Sequence, residues 1–299
     1  MRSLIAARQG RIARVEAKTL GDVSGDKYRL EDGTSVVPWD FRLFLVPIWA
    51  GGDTQNGLTR YYGLAREARI EAHRARNREP ETTEGTVFQS VEVWEARLRE
   101  LGLYVAATLV GMKDNATAID HLKAFYSTLK SSGGEANISF SHRVAIALAF
   151  VYLMIGDTIS AREWFQLAPV EQSKELSLAV CSLADGDMSE SASLLEKYLS
   201  TENNESEQQS KPSAGDDAKT QALNNLAISE LHQGNLVKAI ELLEQTVTTA
   251  NVDPAVLFNL FILYDLQHEL PATKKRLIAD KIRSRGIESL GTYELFLQR

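Results

Sequence analysis

The sequence predicts an all-α fold, an irregular α-solenoid of antiparallel helix pairs. Three observations carry that prediction. Apolar residues recur with helical period through nearly all of the 299 residues. Proline is rare and stands at joints, at Pro38, Pro80, Pro169, Pro254 and Pro271, with Pro47 inside or kinking its helix. A pattern of small residue, turn and small residue recurs four times along the chain.

The period places helices near 2–18, 39–50, 55–77, 87–112, 115–131, 140–155, 158–167, 171–185, 188–200, 217–233, 236–249, 255–268 and 271–285. A short hairpin is expected in "KYRLEDGTSVV", residues 27–37, where Asp32-Gly33 divides alternating residues. Residues 200–219, "STENNESEQQSKPSAGDDAK", hold no aromatic side chain and are rich in Ser, Glu, Gln and Asn. Such a segment buries too little apolar surface to offset its ordering entropy, so a flexible linker is expected there. The expected organisation is an N-terminal helix and hairpin over 1–34, the repeats over 35–199, the polar linker over 200–218, and a last repeat with capping helices over 219–299.

The repeat is clearest in "VAIALAFVYLMIGDTISAREWF", residues 144–165. Two helices that cross closely need small residues at the crossing, a large residue in the gap and a turn between them. Ala149 and Tyr152 lie on the first helix, Gly156 in the turn, and Ala161, Phe165 and Ala168 on the second. A second copy has Ala227, Gly234, Ala239 and Leu243, with Thr246 where a small residue is usual. A third has Ala106, Ala118 and Leu122, with Lys113 in place of the turn glycine. A fourth has Ala179, Gly186 and Leu195, with Ser191 at its second crossing. The equivalent positions 118, 161, 191 and 239 are 43, 30 and 48 residues apart. These copies resemble the tetratricopeptide (TPR) repeat, whose period is about 34 residues.

A solenoid of helix pairs turns the inner face of each first helix towards a groove. Register assigns that face Ile146, Phe150, Leu153 and Met154, then Leu176, Val180 and Leu183, then Asn224, Ile228, Leu231 and His232. An apolar groove holds a helix, from a partner or from the chain's own C-terminal part. The competing reading is that these residues only pack against neighbouring repeats. Lys, Arg and Asn, which clamp a peptide carboxylate in chaperone-binding TPR modules, are absent from these positions apart from Asn224.

Composition narrows the function classes. The apolar run Val144–Ile155 covers 12 residues, against about 20 for a membrane-spanning helix, so no transmembrane segment is expected. Cys181 is the single cysteine, which rules out an intrachain disulfide and suits a small core residue. His73, His121, His142, His232 and His268 are scattered, without metal-ligand spacing. "GGDTQNG", residues 51–57, lacks the Lys-Ser/Thr of a phosphate loop, and no GxSxG occurs. No cofactor and no enzymatic activity are therefore expected. The net charge of −7 divides into +4 over residues 1–77 and −11 over the remainder. No face is basic enough to suggest a nucleic-acid partner. The four arginines before Glu16 are read as the basic face of an amphipathic helix rather than a transit peptide.

Several blocks resemble, in order, the subunit-12 TPR protein of the transport protein particle (TRAPP) tethering complex. They are "SVVPWDFRLFLV", "GGDTQNGLTRYYGL", "VWEARLRELGLYVAATLVGMKDNATAIDHLKAF", "YLMIGDTISAREWFQ", "NNLAISELHQGNLVKAIELLEQ" and "PAVLFNLFILYDLQHELPATKKRLI". The likeness runs from about Ser35 onward and suggests a short, fungal-like form, since family members usually have more helices ahead of this point. It implies a scaffold whose partners are other TRAPP subunits and, through the complex, a Rab GTPase. It implies work in ER–Golgi transport and autophagy, in the cytoplasm at the periphery of Golgi and ER–Golgi membranes, with no catalytic residue. The alternatives are a stand-alone TPR peptide-binding adaptor and, third, the regulatory domain of an enzyme.

Overall fold

The computed structural model describes residues 10–31, 35–77, 89–168, 174–206, 215–247, 253–267 and 271–284. Among them are thirteen α-helices: α1 (Gly10–Leu20), α2 (Trp39–Ala50), α3 (Thr54–Arg76), α4 (Val91–Gly111), α5 (Asn115–Ser132), α6 (Glu135–Met154), α7 (Thr158–Gln166), α8 (Lys174–Asp185), α9 (Met188–Ser206), α10 (Gly215–His232), α11 (Leu236–Val247), α12 (Pro254–Gln267) and α13 (Pro271–Arg283). The chain divides into two compact units, Met1–Val151 and Tyr152–Arg299.

In the first unit consecutive helices pack in series from α1 to α5. Its larger core joins Trp39, Val46, Leu64, Ala68, Leu101, Val105 and Leu109. A smaller one gathers Ala17, Val23, Leu45 and Ile48. In the second unit the series runs from α7 to α13, and α8 also touches α10. Ala179, Leu195, Tyr198, Ala222 and Leu226 form one core there. Ala227, Leu243, Leu257, Leu260, Tyr264 and Ile282 form another.

Four helix pairs share one turn. Asp114 N–H donates to Leu109 O, Asp157 to Tyr152 O, Asp187 to Ser182 O and Asn235 to Glu230 O, at 3.0, 3.0, 2.9 and 2.9 Å. Each is the six-residue closing bond of a Schellman helix end. The residue before each donor is left-handed: Lys113, Gly156, Gly186 and Gly234, with φ of 63°, 82°, 84° and 88°. Three donors then cap the next helix. The carboxylates of Asp114, Asp157 and Asp187 accept from Thr117 N, Ser160 N and Glu190 N at 3.2, 3.0 and 2.9 Å. One residue thus closes a helix with its N–H and opens the next with its carboxylate.

A buried charge network joins α2 to α3. Arg42 is 3 % exposed and donates to both oxygens of Glu67, from Nη1 at 2.7 Å and Nη2 at 2.5 Å. Arg29 reaches the same carboxylate at 2.8 Å. Burial alone would raise the Glu67 pKa, but the hydrogen bonds and charges of Arg42 and Arg29 outweigh it and hold the carboxyl below its ordinary range.

Of three expectations, two are corrected and one is met only in part. Among the described residues of the expected hairpin, 27–31 and 35–37, the pairing reduces to a single bridge. Asp26–Tyr28 is a 3-10 turn, and one antiparallel bridge joins Arg29 to Ser35. The Arg29 side chain turns to Ser24 O and Glu67 instead of lying along a ladder; Asp32-Gly33 lies outside the described residues. The expected linker is narrower, because α9 continues to Ser206 and α10 begins at Gly215. Residues 207–214 lie outside the described ones. Helix α6 starts at Glu135, not near 140, so it spans 20 residues and meets the length and apolarity needed to cross a membrane. The length argument from Val144–Ile155 therefore fails. What speaks for a core helix is burial of Phe140, Ser141, Val144, Ala145, Leu148 and Ala149 within the protein.

The turns predict opposite effects of two substitutions. Lys113→Gly removes a left-handed side chain and should raise stability by about 0.5–1 kcal/mol, while Gly234→Ala should lower it by about 1 kcal/mol; urea unfolding reads both. Glu67→Gln strands Arg42 and should cost about 3 kcal/mol at neutral pH, with most of it recovered in Arg42→Met/Glu67→Leu. Because the folded pKa of Glu67 lies below the ordinary glutamate value of about 4.3, its contribution is complete above that value and is lost as the pH falls through the folded pKa. Acid titration of stability should therefore be flatter in Glu67→Gln than in the parent.

Candidate protein-interaction surface

The small residues of the repeat are closed off from solvent. Ala106 and Ala118, Ala149 and Ala161, Ala179, and Ala227 and Ala239 are all buried. Leu122, Tyr152, Phe165, Ala168, Leu195 and Leu243 are buried as well. Gly156, Gly186 and Gly234 occupy the exposed turns. The two polar departures are buried and satisfied: Ser191 Oγ accepts from Ser229 Oγ of α10 at 3.2 Å, and Thr246 Oγ1 donates to Leu242 O at 2.8 Å. Cys181 is buried, and burial pushes its thiol pKa up. His121 bonds Gly102 O at 3.0 Å; His268 lies outside the described residues.

The residues assigned to the groove differ in exposure. On α6, Ile146 is half-buried and Phe150 is 48 % exposed. Near the start of the second unit, Leu153 is half-buried and Met154 is 64 % exposed. On α8, Leu176, Val180 and Leu183 are half-buried, as are Asn224, Ile228 and Leu231 on α10. Within the second unit three of these side chains meet their own chain. Leu176 packs on the α8–α9 core, Leu231 on the α11–α12 core, and Asn224 Oδ1 accepts from Asn259 Nδ2 of α12 at 2.9 Å. The surface offered on α8 and α10 is thus the outward half of side chains whose inner half closes the fold.

Two surfaces escaped the sequence reading. On α12, Phe258, Ile262 and Leu266 are exposed at successive turns. Their i, i+4, i+8 spacing was legible in the sequence but hidden in a helix apolar all round. The second is an arginine-lined cleft between residues 22–29, α2 and α3. Its α3 residues Arg60, Glu67 and Arg74 share one face at seven-residue spacing. Their partners on α2 and in residues 22–29 are set by tertiary packing alone.

Comparison with known proteins bears on the fold. A tetratricopeptide repeat protein from Parabacteroides merdae ATCC 43184 is similar at 12 % identity and a TM-score of 0.50, covering 98 % of this chain and 93 % of that one. TPR-like repeats of a kinesin light chain-like protein from Podosopora anserina align at 17 % identity and a TM-score of 0.44, covering 65 % of this chain and 97 % of that one. No family model matches the chain, and no curated protein matches it. The chain is an all-α protein of the TPR-solenoid class.

Exposure separates two variants. Phe150→Asp should leave the far-ultraviolet circular dichroism and the unfolding midpoint near those of the parent, within about 1 kcal/mol. Ala161→Leu, at a fully buried position, should cost about 1–3 kcal/mol in urea unfolding. A collapse of the helical signal in Phe150→Asp would assign Phe150 to the core.

Proposed function

We propose that this protein is a non-catalytic scaffold that holds other proteins on its TPR-type helix pairs. The observation that carries the reading is the turn that recurs at Asp114, Asp157, Asp187 and Asn235. It joins consecutive helices by one short turn, and solenoids of such helix pairs present their outward residues to partners. More finely, we infer a subunit of a TRAPP-type vesicle-tethering complex, in contact with other TRAPP subunits and through them with a Rab GTPase. This would place it in the cytoplasm at the periphery of Golgi and ER–Golgi membranes, in transport and autophagy. The support for that finer reading is the ordered series of sequence blocks from "SVVPWDFRLFLV" to "PAVLFNLFILYDLQHELPATKKRLI".

Affinity purification of the tagged full chain from its native cells tests both levels. Co-purification of TRAPP subunits in near-stoichiometric yield is the expected result. A reproducible set of other proteins would keep the scaffold and sink the TRAPP assignment. Recovery of the chain alone would sink both.

A further inference from the structure

We propose that the arginine-lined cleft of the first unit binds an acidic segment of a partner protein. The proposal deepens the scaffold reading and rests on it. The cleft encloses about 440 Å³, with α3 as its floor and α2 and residues 22–29 as its walls. Five arginines and no lysine line it, against Asp22, Glu67 and Glu71. Guanidinium groups suit carboxylates because their planar fork donates two parallel hydrogen bonds.

The charges inside the cleft do not cancel. Glu67 is spent on Arg42 and Arg29, and Glu71 pairs with Arg74 at 2.7 Å. Arg60 and Arg66 have no carboxylate partner among the described residues. Deeper in, the buried Arg42 Nε has no hydrogen-bond acceptor, and Arg42 shares the single carboxylate of Glu67 with Arg29. Arg60 is already positioned. Its guanidinium lies 4.8 Å from the centre of the Trp49 ring, and its Nε donates to Asn56 Oδ1 at 3.2 Å. A ligand that meets it therefore loses little side-chain entropy.

The length of the site selects among anions. Arg60 and Arg66, the arginines left unpaired, are about 9 Å apart along α3, and the cleft continues to Arg74, about 21 Å from Arg60. One phosphate fills a small part of that length, whereas about six extended residues carrying several carboxylates occupy all of it. Ile70 and Trp49 supply apolar contact between the charges. The occupant that fits is an extended peptide in which acidic and apolar residues alternate.

The test is fluorescence anisotropy with the full chain and a fluorescein-labelled hexapeptide of alternating Asp and Leu. Saturable binding that weakens with added salt is expected. Arg60→Glu/Arg66→Glu should weaken it by about tenfold or more. Gly63→Phe is the companion variant. Gly63 lines the cleft in mid-helix, and a Cβ there meets nothing within 4 Å. The substitution favours the helix, leaves every charge in place and obstructs the cleft, so it should weaken binding to a similar degree. Absence of saturable binding, equal affinity for a Lys-Leu hexapeptide, or affinity unchanged in both variants would overturn the proposal. Complete displacement of the peptide by millimolar inorganic phosphate would also overturn it, in favour of a small-anion site. Partner recovery by the Arg60→Glu/Arg66→Glu chain in affinity purification is read separately, and its persistence leaves the scaffold reading standing.

Discussion

The constraint on which the architecture depends is the hydrogen-bonding need of helix ends. Every helix leaves carbonyls open at its C-terminus and N–H groups open at its N-terminus. In an antiparallel pair these lie side by side. At Tyr152–Ser160 one tripeptide answers both. Gly156 turns left-handed, Asp157 N–H closes on Tyr152 O, and the Asp157 carboxylate takes Ser160 N–H. The Ser160 hydroxyl and backbone N–H hold that carboxyl below the ordinary aspartate range, so it is charged when it caps the helix. Where the paired helices lie in one unit, as α8 with α9 and α10 with α11, the short turn folds the second helix back along the first. Close return then demands alanine where the backbones cross. The buried alanines at 149, 161, 179, 227 and 239 are consequences of the turn as much as independent signals.

This order of cause explains why the repeat is irregular in length but not in geometry. The 43-residue step is taken up by α5 and α6, of 18 and 20 residues. The 30-residue step contains α7, of only 9 residues. The 48-residue step contains α9, which continues for 19 residues to Ser206. Helices lengthen or shorten at their far ends, where neither crossing nor turn is disturbed, and the six-residue bond stays at 2.9–3.0 Å in all four copies. Even Lys113 is accommodated: its side chain is exposed, and only the cost of the left-handed backbone remains.

What was legible in the sequence was whatever is local. Helix positions, turns and crossing residues follow from spacing within some 25 residues. Boundaries were less legible. The start of α6 at Glu135 was hidden because Ser139, Ser141 and His142 interrupt the apolar run, although Ser141 is buried with its hydroxyl donated to Ile138 O at 2.7 Å. Helix α9 ran past its expected end because polar composition alone does not stop a helix. Tertiary partners were not legible at all. Glu67 reads as an ordinary surface acid on an amphipathic helix, and Gly102 as an unremarkable helical glycine. Yet a Cβ at Gly102 would come within 2.4 Å of the Phe125 ring, which marks a close approach of α4 and α5.

The Arg42–Glu67 contact shows what such non-local pairs do for the fold. A buried ion pair contributes little net stability, because desolvating both charges offsets their attraction. Its effect is selective. The apolar contacts of Trp39 and Val46 with α3 are non-directional and do not by themselves set the rotation of one helix on the other. Only one rotation brings the Arg42 fork onto both oxygens of Glu67 while Arg29 closes from residues 22–29. Any other strands a buried guanidinium. The network thus fixes the register of the first unit's helices, and in doing so it sets the walls of the cleft that Arg60 and Arg66 line. The charge that orders the fold and the charge left over for a ligand therefore come from one cluster of arginines, divided by a single carboxylate.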